Sequence, residues 1–376
     1  MSRKLVRLIT ISLMLVMVTS LFGVQSPATA QAKTIIGLSF SDYATERWPI
    51  ENADMTKALQ KMGYTVLSQE ADHDVKLQND QIDNMVALGA KALIVIAEDG
   101  ASAATAVSAA VKKGVKVLSY DRLIKTTDIS VYITFDNVEV GRQEALGVLN
   151  ALGLKSATDT GKWTKDNPAK IFMMGGDPGD NNAVLLRQGQ DEMTKPFRDA
   201  GVMKIVADQA AEKWDAAFAQ KLMENVLTAN KNLIDGVIAS NDGTALGALQ
   251  ALRAQKLAGK VPISGQDATA DGCNSIVKGE LTSTVYKDNR LLSALAVDLI
   301  DKLLKGTPLP DVKTYSMATM TGDKAAKGEF QGVFLKVVQV TKDNVYDVVV
   351  KSGFQPYDDV YRDIPEDKRP PRPAAK

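Results

Sequence analysis

The chain has 376 residues, and its 45 basic and 45 acidic side chains leave no formal net charge. That balance argues against a polyanionic partner, so no nucleic acid is expected. One cysteine, Cys273, allows no internal disulfide, and with one histidine, His73, in a polar stretch read as a solvated loop or helix start, neither a zinc site nor a Cys-His nucleophile is expected.

Arg3, Lys4 and Arg7 precede an apolar run over 8–24, and the small-residue stretch SPATAQA follows it. This is the pattern of a secretory signal peptide, spanning 1–30 if cleavage follows Ala30, with Ala32 the alternative. The run is shorter than the roughly 20 apolar residues of a membrane span. The mature protein is therefore expected to be soluble and periplasmic or otherwise extracytoplasmic.

From residue 34 onward, apolar β-rich runs alternate with amphipathic segments. TIIGLSF is followed by ENADMTKALQKMG, YTVLSQ, NDQIDNMVALG, ALIVIAE, ASAATAVSAAVKKG and VKVLSY, then VYITFDN. The order then restarts with KIFMMGG, LRQGQDEMTKPFRDAG, MKIVADQ, FAQKLMENVLTAN, IDGVIASND, GTALGALQALRAQ and VPISGQD. Strands and helices alternating at this spacing predict α/β lobes with doubly wound parallel sheets. The halves also match locally: DMTKALQKMG with EMTKPFRDAG, IVIAEDG with GVIASNDG, and VLSYD with PISGQD. Two similar lobes in tandem imply a cleft, and ligands in such sheets bind beyond the carboxyl ends of the strands.

Polar clusters stand at those ends. YDR, GDPGDNN, SND and GQD supply Asp121, Asp180, Asn182, Asn241 and Asp267 as acceptors, while Arg47, Arg122 and Lys287 donate. Trp48 in ERWPI and Trp214 in AEKWDA add flat apolar faces. Carboxylates and guanidinium groups can each engage two neighbouring hydroxyls, and tryptophan can cover the C–H face of a sugar ring, so the set suits a polyhydroxylated ligand. Taken singly, Asn and Asp at strand ends read equally well as turn and helix-cap residues. The acids in MGGDPGDNN also argue against a phosphate cradle. A secreted carbohydrate-active enzyme using Asp121 and Asp267 as a carboxylate pair is the alternative function, but no acid stands out as its proton donor.

The stretches ERW, VLSYDR, SVYITFDNVEVG, FMMGGDPGDNNA, ENVLTANKNLIDGVIASND, ISGQDA and TVYKD resemble the periplasmic sugar-binding proteins of ABC importers, in the branch of xylose and multiple-monosaccharide receptors. The resemblance runs from about Thr34 to about Phe354. It implies a type I periplasmic binding protein fold, with two lobes joined by three crossings near 135–138, 286–288 and 331–334. The first lobe would hold 34–136 plus 288–332 and the second 137–287 plus 333–354, leaving 355–376 as a Pro-rich disordered tail. It also implies a sugar site of Arg47, Trp48, Asp121, Arg122, Asp180, Asn182, Trp214, Asn241, Asp267 and Lys287, with Asp136 and Asn137 as hinge residues. The expected ligand is a monosaccharide, D-xylose first and D-glucose next. The expected partners are an ABC permease or, as a further alternative, a sensor kinase or chemoreceptor. No cofactor, metal or catalytic residue is implied, and a monomer is expected.

Overall fold

The computed structural model describes residues 33–374, so the signal peptide expected over 1–30 lies outside the described residues. The first lobe opens with β1 (Ile35–Phe40), α1 (Arg47–Lys61), β2 (Thr65–Glu70), α2 (Val75–Ala87), β3 (Ala90–Val95), α3 (Ala103–Lys112), β4 (Lys116–Tyr120) and β5 (Val131–Phe135). β4 and β5 are almost wholly buried, as expected of parallel strands covered on both faces. The chain then enters the second lobe through α4 (Asn137–Leu152), β6 (Ala169–Gly175), α5 (Asn181–Asp199), β7 (Met203–Ala210), α6 (Ala216–Ala229), β8 (Gly236–Ala239), α7 (Asp242–Ala254), α8 (Ala270–Lys278) and β9 (Thr284–Tyr286). Next, α9 (Asn289–Lys305) returns to pack on α1, β3 and β4, burying Leu292, Ala296, Leu299 and Ile300 against Ile36, Leu38 and Trp48.

The last elements complete both sheets. β10 (Lys313–Ser316) is followed by the short helix α10 (Met317–Thr321) and by β11 (Glu329–Leu335); β12 (Val338–Val340) lies in the second lobe. The first sheet has the order β10-β11-β5-β4-β3-β1-β2 and is parallel except for β10. In the second, the parallel strands β7-β6-β8 continue through bridges at Ile263 and Ser264 to β9, with β12 antiparallel at the edge.

The crossings run from β5 to α4, from β9 to α9 and from β11 to β12. The third lies after Leu335, not over 331–334: Gly332 to Leu335 pair in register with Tyr132 to Phe135. Residues 333–335 therefore belong to the first sheet. The C-terminal segment also departs from expectation. Residues 357–361 form α11 (Tyr357–Tyr361), whose Val360 and Tyr361 are buried in the second lobe's core. The Tyr357 and Tyr346 hydroxyls donate to the carbonyls of Pro370 (2.7 Å) and Pro371 (2.8 Å). Proline-rich composition argued for disorder, but two large apolar side chains suffice to dock the segment.

Candidate functional site

The turn after β1 and the start of α1 form one wall. The Thr45 amide donates to Asp42 Oδ1 at 2.6 Å and the Trp48 amide to the Thr45 carbonyl at 3.0 Å, which brings Arg47 and Trp48 to the carboxyl edge of the first sheet. Arg47 is buried. Its guanidinium lies 4.5 Å from the Trp48 ring centroid, donates through Nη1 to Asp121 Oδ2 at 2.9 Å, and is held on its other edge by Glu51. Glu51 also accepts from the Tyr120 hydroxyl, so a buried carboxylate that sequence reasoning passed over anchors the arginine from behind.

Asp121 and Arg122 follow β4 on a tight bend. Asp121 adopts φ 60°, and this strained left-handed conformation is secured by its amide donating to the Ile133 carbonyl and its carbonyl accepting from the Tyr132 hydroxyl. Arg122 turns the other way: it donates to the Ala97 carbonyl at 3.2 Å, stands 3.4 Å from Glu98, and reaches Asp180 of the second lobe at 3.2 Å.

Three residues of the second lobe double as structural anchors. Asp180 caps α5, accepting from the Asn182 amide at 2.9 Å, and Asn241 caps α7, accepting from the Thr244 amide at 2.8 Å. Asn182 is fixed through its Oδ1 by Asn137 at 2.8 Å and donates across the cleft to Asp121 Oδ1 at 3.0 Å. Asn137 thus supports the wall from behind, while Asp136 caps α4 through the Glu139 amide and is exposed. Asp267, at φ 92°, pairs with Lys287 at 2.9 Å. Trp214, at φ 56°, lies over Gly176, where any Cβ would overlap its ring.

All ten residues singled out from the sequence line one small cavity of about 30 Å³ between the lobes, together with Thr45 and Gln266, which sequence reasoning did not select. It adjoins a wider mouth of about 420 Å³ that shares Thr45, Arg47, Trp214, Asn241 and Asp267. Asp180 and Asn241 thus cap helices and line the cavity at once, so a capping role and a place at the cavity wall do not exclude each other.

The electrostatics favour charges already paired. Burial alone would raise the Asp121 carboxyl, but Arg47, Lys287 and Arg122 together hold it below its ordinary value. Asp180 goes the other way, to about 6: burial dominates, Asp121 and Asp177 add to it, and the Arg122 contact only partly offsets the lost hydration. A carboxyl kept ionised, as Asp121 is, cannot serve as the proton donor of a glycosidase pair. The Cys273 thiol, pushed far up by burial, offers no nucleophile.

His73 lies in the turn just before α2, as expected, but is half-buried. It adopts φ 59°, its imidazole is 11% exposed, and Nδ1 lies 3.1 Å from Glu98 while Nε2 lies 3.7 Å from Asp42. Hydrogen bonding to Glu98 raises its pKa. Asp42, His73 and Glu98 are close enough together to suggest a metal site. However, Arg122 faces both carboxylates, at 3.9 and 3.4 Å, and already supplies the positive charge.

Two similar α/β lobes, three crossings and a charged cavity between facing strand ends define a two-lobed ligand-binding protein of the kind that closes around a solute. Residues 36–308 match the model of the periplasmic binding protein domain. The chain is 39% identical over 326 residues to the D-xylose-binding periplasmic protein of Escherichia coli, covering 86% of this chain and 92% of that one. It is 34% identical over 344 residues to a multiple sugar-binding periplasmic receptor of Rhizobium radiobacter, covering 88% and 93%. A solved ABC transporter solute-binding protein from Clostridium phytofermentans, with β-D-glucose bound, superposes with a TM-score of 0.77 at 30% identity, covering 87% of this chain and all of that one. The chain belongs to the periplasmic binding protein family.

Proposed function

We propose that this protein is an extracytoplasmic receptor that captures a monosaccharide, D-xylose first and D-glucose next, between its lobes and delivers it to an ABC permease. The observation that carries the reading is the convergence itself: pre-paired carboxylates, guanidinium groups, an ammonium and two indoles from both lobes line one cavity at the facing strand ends, and its opening into the wider mouth gives a sugar room that the cavity of about 30 Å³ alone does not. Relatives named for D-xylose favour that sugar, and the neighbour with glucose bound keeps the hexose in view.

In the open form each half-site is hydrated. A sugar bridging Arg47 and Asp121 on one side to Asn241, Asp267 and Lys287 on the other favours the closed form by as much as its affinities for the two states differ. Closure removes the charged hydrogen bonds from water, where each counts for more. A pentose has few heavy atoms, yet at a ceiling of about 1.5 kcal/mol per atom it can reach the roughly 8 kcal/mol of a micromolar complex.

Thermal melts across free pentoses and hexoses test the reading. D-xylose, or failing it D-glucose, is expected to raise the melting temperature; at a hundredfold excess over Kd the added stability is about 2.7 kcal/mol. Stabilisation by maltose or by an amino acid, with no monosaccharide effective, would overturn it.

A further inference from the structure

Each charged group of the cavity wall has a partner within the protein. Asp121 meets Arg47 and Asn182, Asp180 meets Arg122, and Asp267 meets Lys287. Gln266 does not. It lines the same cavity, is 4% exposed, and among the described residues its side-chain amide makes no hydrogen bond; its Oε1 is sealed from solvent with no donor facing it. A buried amide without partners is costly, and native structures rarely leave one without a reason.

The backbone gives Gln266 no freedom to withdraw. Its carbonyl accepts from the Asp242 amide at 2.9 Å. On either side the Gly265 amide donates to Ser283 (2.9 Å) and the Asp267 amide to Val285 (2.8 Å), lacing the segment to β9 and its lead-in. At Gly265 any Cβ would meet the Asp242 carboxyl, so the segment lies flush against α7. The amide is thus held at the wall, carrying both a donor and an acceptor, and it is neutral among groups whose charges are already balanced. A sugar hydroxyl, likewise donor and acceptor, is its chemical complement.

We infer that Gln266 is a specificity-determining contact, pairing through its amide with one hydroxyl of the bound monosaccharide and rejecting analogues that lack that hydroxyl. The inference rests on the monosaccharide reading above. A wall built around a hydroxyl discriminates strongly against its absence, because the protein group is then left buried and unpaired.

The experiment is calorimetric titration of the full-length mature protein and of Gln266→Met with D-xylose or D-glucose and the corresponding monodeoxy sugars, with melts of each unliganded protein. Methionine keeps the length and removes the hydrogen bonds; Gln266→Leu is the second variant if it fails to fold. The variant is expected to bind the parent sugar about 10–100-fold more weakly, with an unliganded melting temperature equal to or above wild type. One deoxy sugar, weak on the wild type, should lose nothing further on the variant, the non-additivity of groups that touch. Unchanged affinity for the parent sugar, or equal further losses for every deoxy sugar, overturns the assignment while leaving the receptor reading intact. A wild-type protein that binds no monosaccharide overturns the receptor reading itself, and this contact with it.

Discussion

Asp121 concentrates the argument at the scale of single residues. It follows an apolar strand, occupies a left-handed conformation, and carries a carboxylate kept ionised by three cations although it is buried. An exposed ion pair contributes roughly 0–1 kcal/mol, so loop stabilisation alone would be a weak reason for this arrangement. In the open form proposed above, Asp121 and Arg47 would face water, while Glu51 would still neutralise the arginine. Asp121→Ala should therefore shift the unliganded melting temperature by no more than about 1–2 °C, the equivalent of 1 kcal/mol in a chain of this size. Sugar affinity should fall about a hundredfold or more, since two charged hydrogen bonds of about 1.5–3 kcal/mol are lost in a closed site. Titration and a melt on the same sample check both. Near-native affinity with a large fall in stability would remove Asp121 from the binding wall. Asp242, behind the cavity, is a different case. Burial, with Asp267 adding to it, raises its carboxyl to about 8 despite bonds from Thr284 and Thr269. The folded state then holds a proton that the unfolded chain releases near pH 4, so the cost of this group is absent in acid and grows as pH rises to about 8. Wild-type stability should fall across that window, and Asp242→Asn should flatten the fall; melts from pH 5 to 8 decide it.

Elements show where sequence patterns are strong and where they stop. Alternating apolar runs and amphipathic stretches read directly as β1 to β8 and most of their helices, because buried parallel strands are nearly continuous in apolar residues. VPISGQD, read as the next strand, makes only isolated bridges at Ile263 and Ser264, and α4, α8 and β9 are not read from periodicity. The ends of β11 were not legible: its pairing with β5 through Leu335 is set by a strand about 200 residues earlier, and no local signal marks it. The covering of His73, which sits as expected in the turn before α2, was hidden for a similar reason, its partner Glu98 lying 25 residues away. Glu51 carries no local signal of its role, which arises only where α1 brings it against Tyr120, 69 residues away. The C-terminal segment was hidden by composition, with Val360 and Tyr361 scattered among prolines and charges. Burying such side chains contributes roughly 1.5–3 kcal/mol each. A chain ending at Pro356 keeps Gln355, whose Nε2 donates to the Ala268 carbonyl beside the cavity at 3.0 Å, and loses α11. It should melt several degrees lower and bind sugar within about twofold of wild type, since α11 packs on α8 and no residue beyond Gln355 lines the cavity or its mouth. An unchanged melting temperature would show that the segment contributes nothing to the second lobe.

For the molecule as a whole, the proposed capture of a sugar depends on how tightly the lobes meet. Arg122 to Asp180 and Asn182 to Asp121 bridge them, and the Gly100 amide reaches the Gly179 carbonyl at 3.4 Å. Gly179 sits on the loop before α5, directly against the loop after β3. A Cβ there would lie 3.0 Å from both Asp177 Oδ1 in the same loop and Asp99 Oδ2 across the cleft, and 3.5 Å from the Glu98 carbonyl, so even one added carbon requires the two carboxylates to shift and a larger side chain has no room. Gly179→Leu should therefore hold the lobes apart without touching the sugar, because residue 179 does not line the cavity. Its own lobe folds around other contacts, so the unliganded melting temperature should stay near wild type. The closed form becomes harder to reach, and apparent affinity falls in proportion to the binding-competent fraction, by tenfold or more if closure is disfavoured by about 1.4 kcal/mol. Small-angle scattering supplies the second readout: the radius of gyration should contract on saturation with sugar in the wild type, and the variant should need a correspondingly higher sugar concentration to contract. Wild-type affinity together with wild-type contraction would mean that the lobes close without this contact, and that closure is governed by the cavity residues alone.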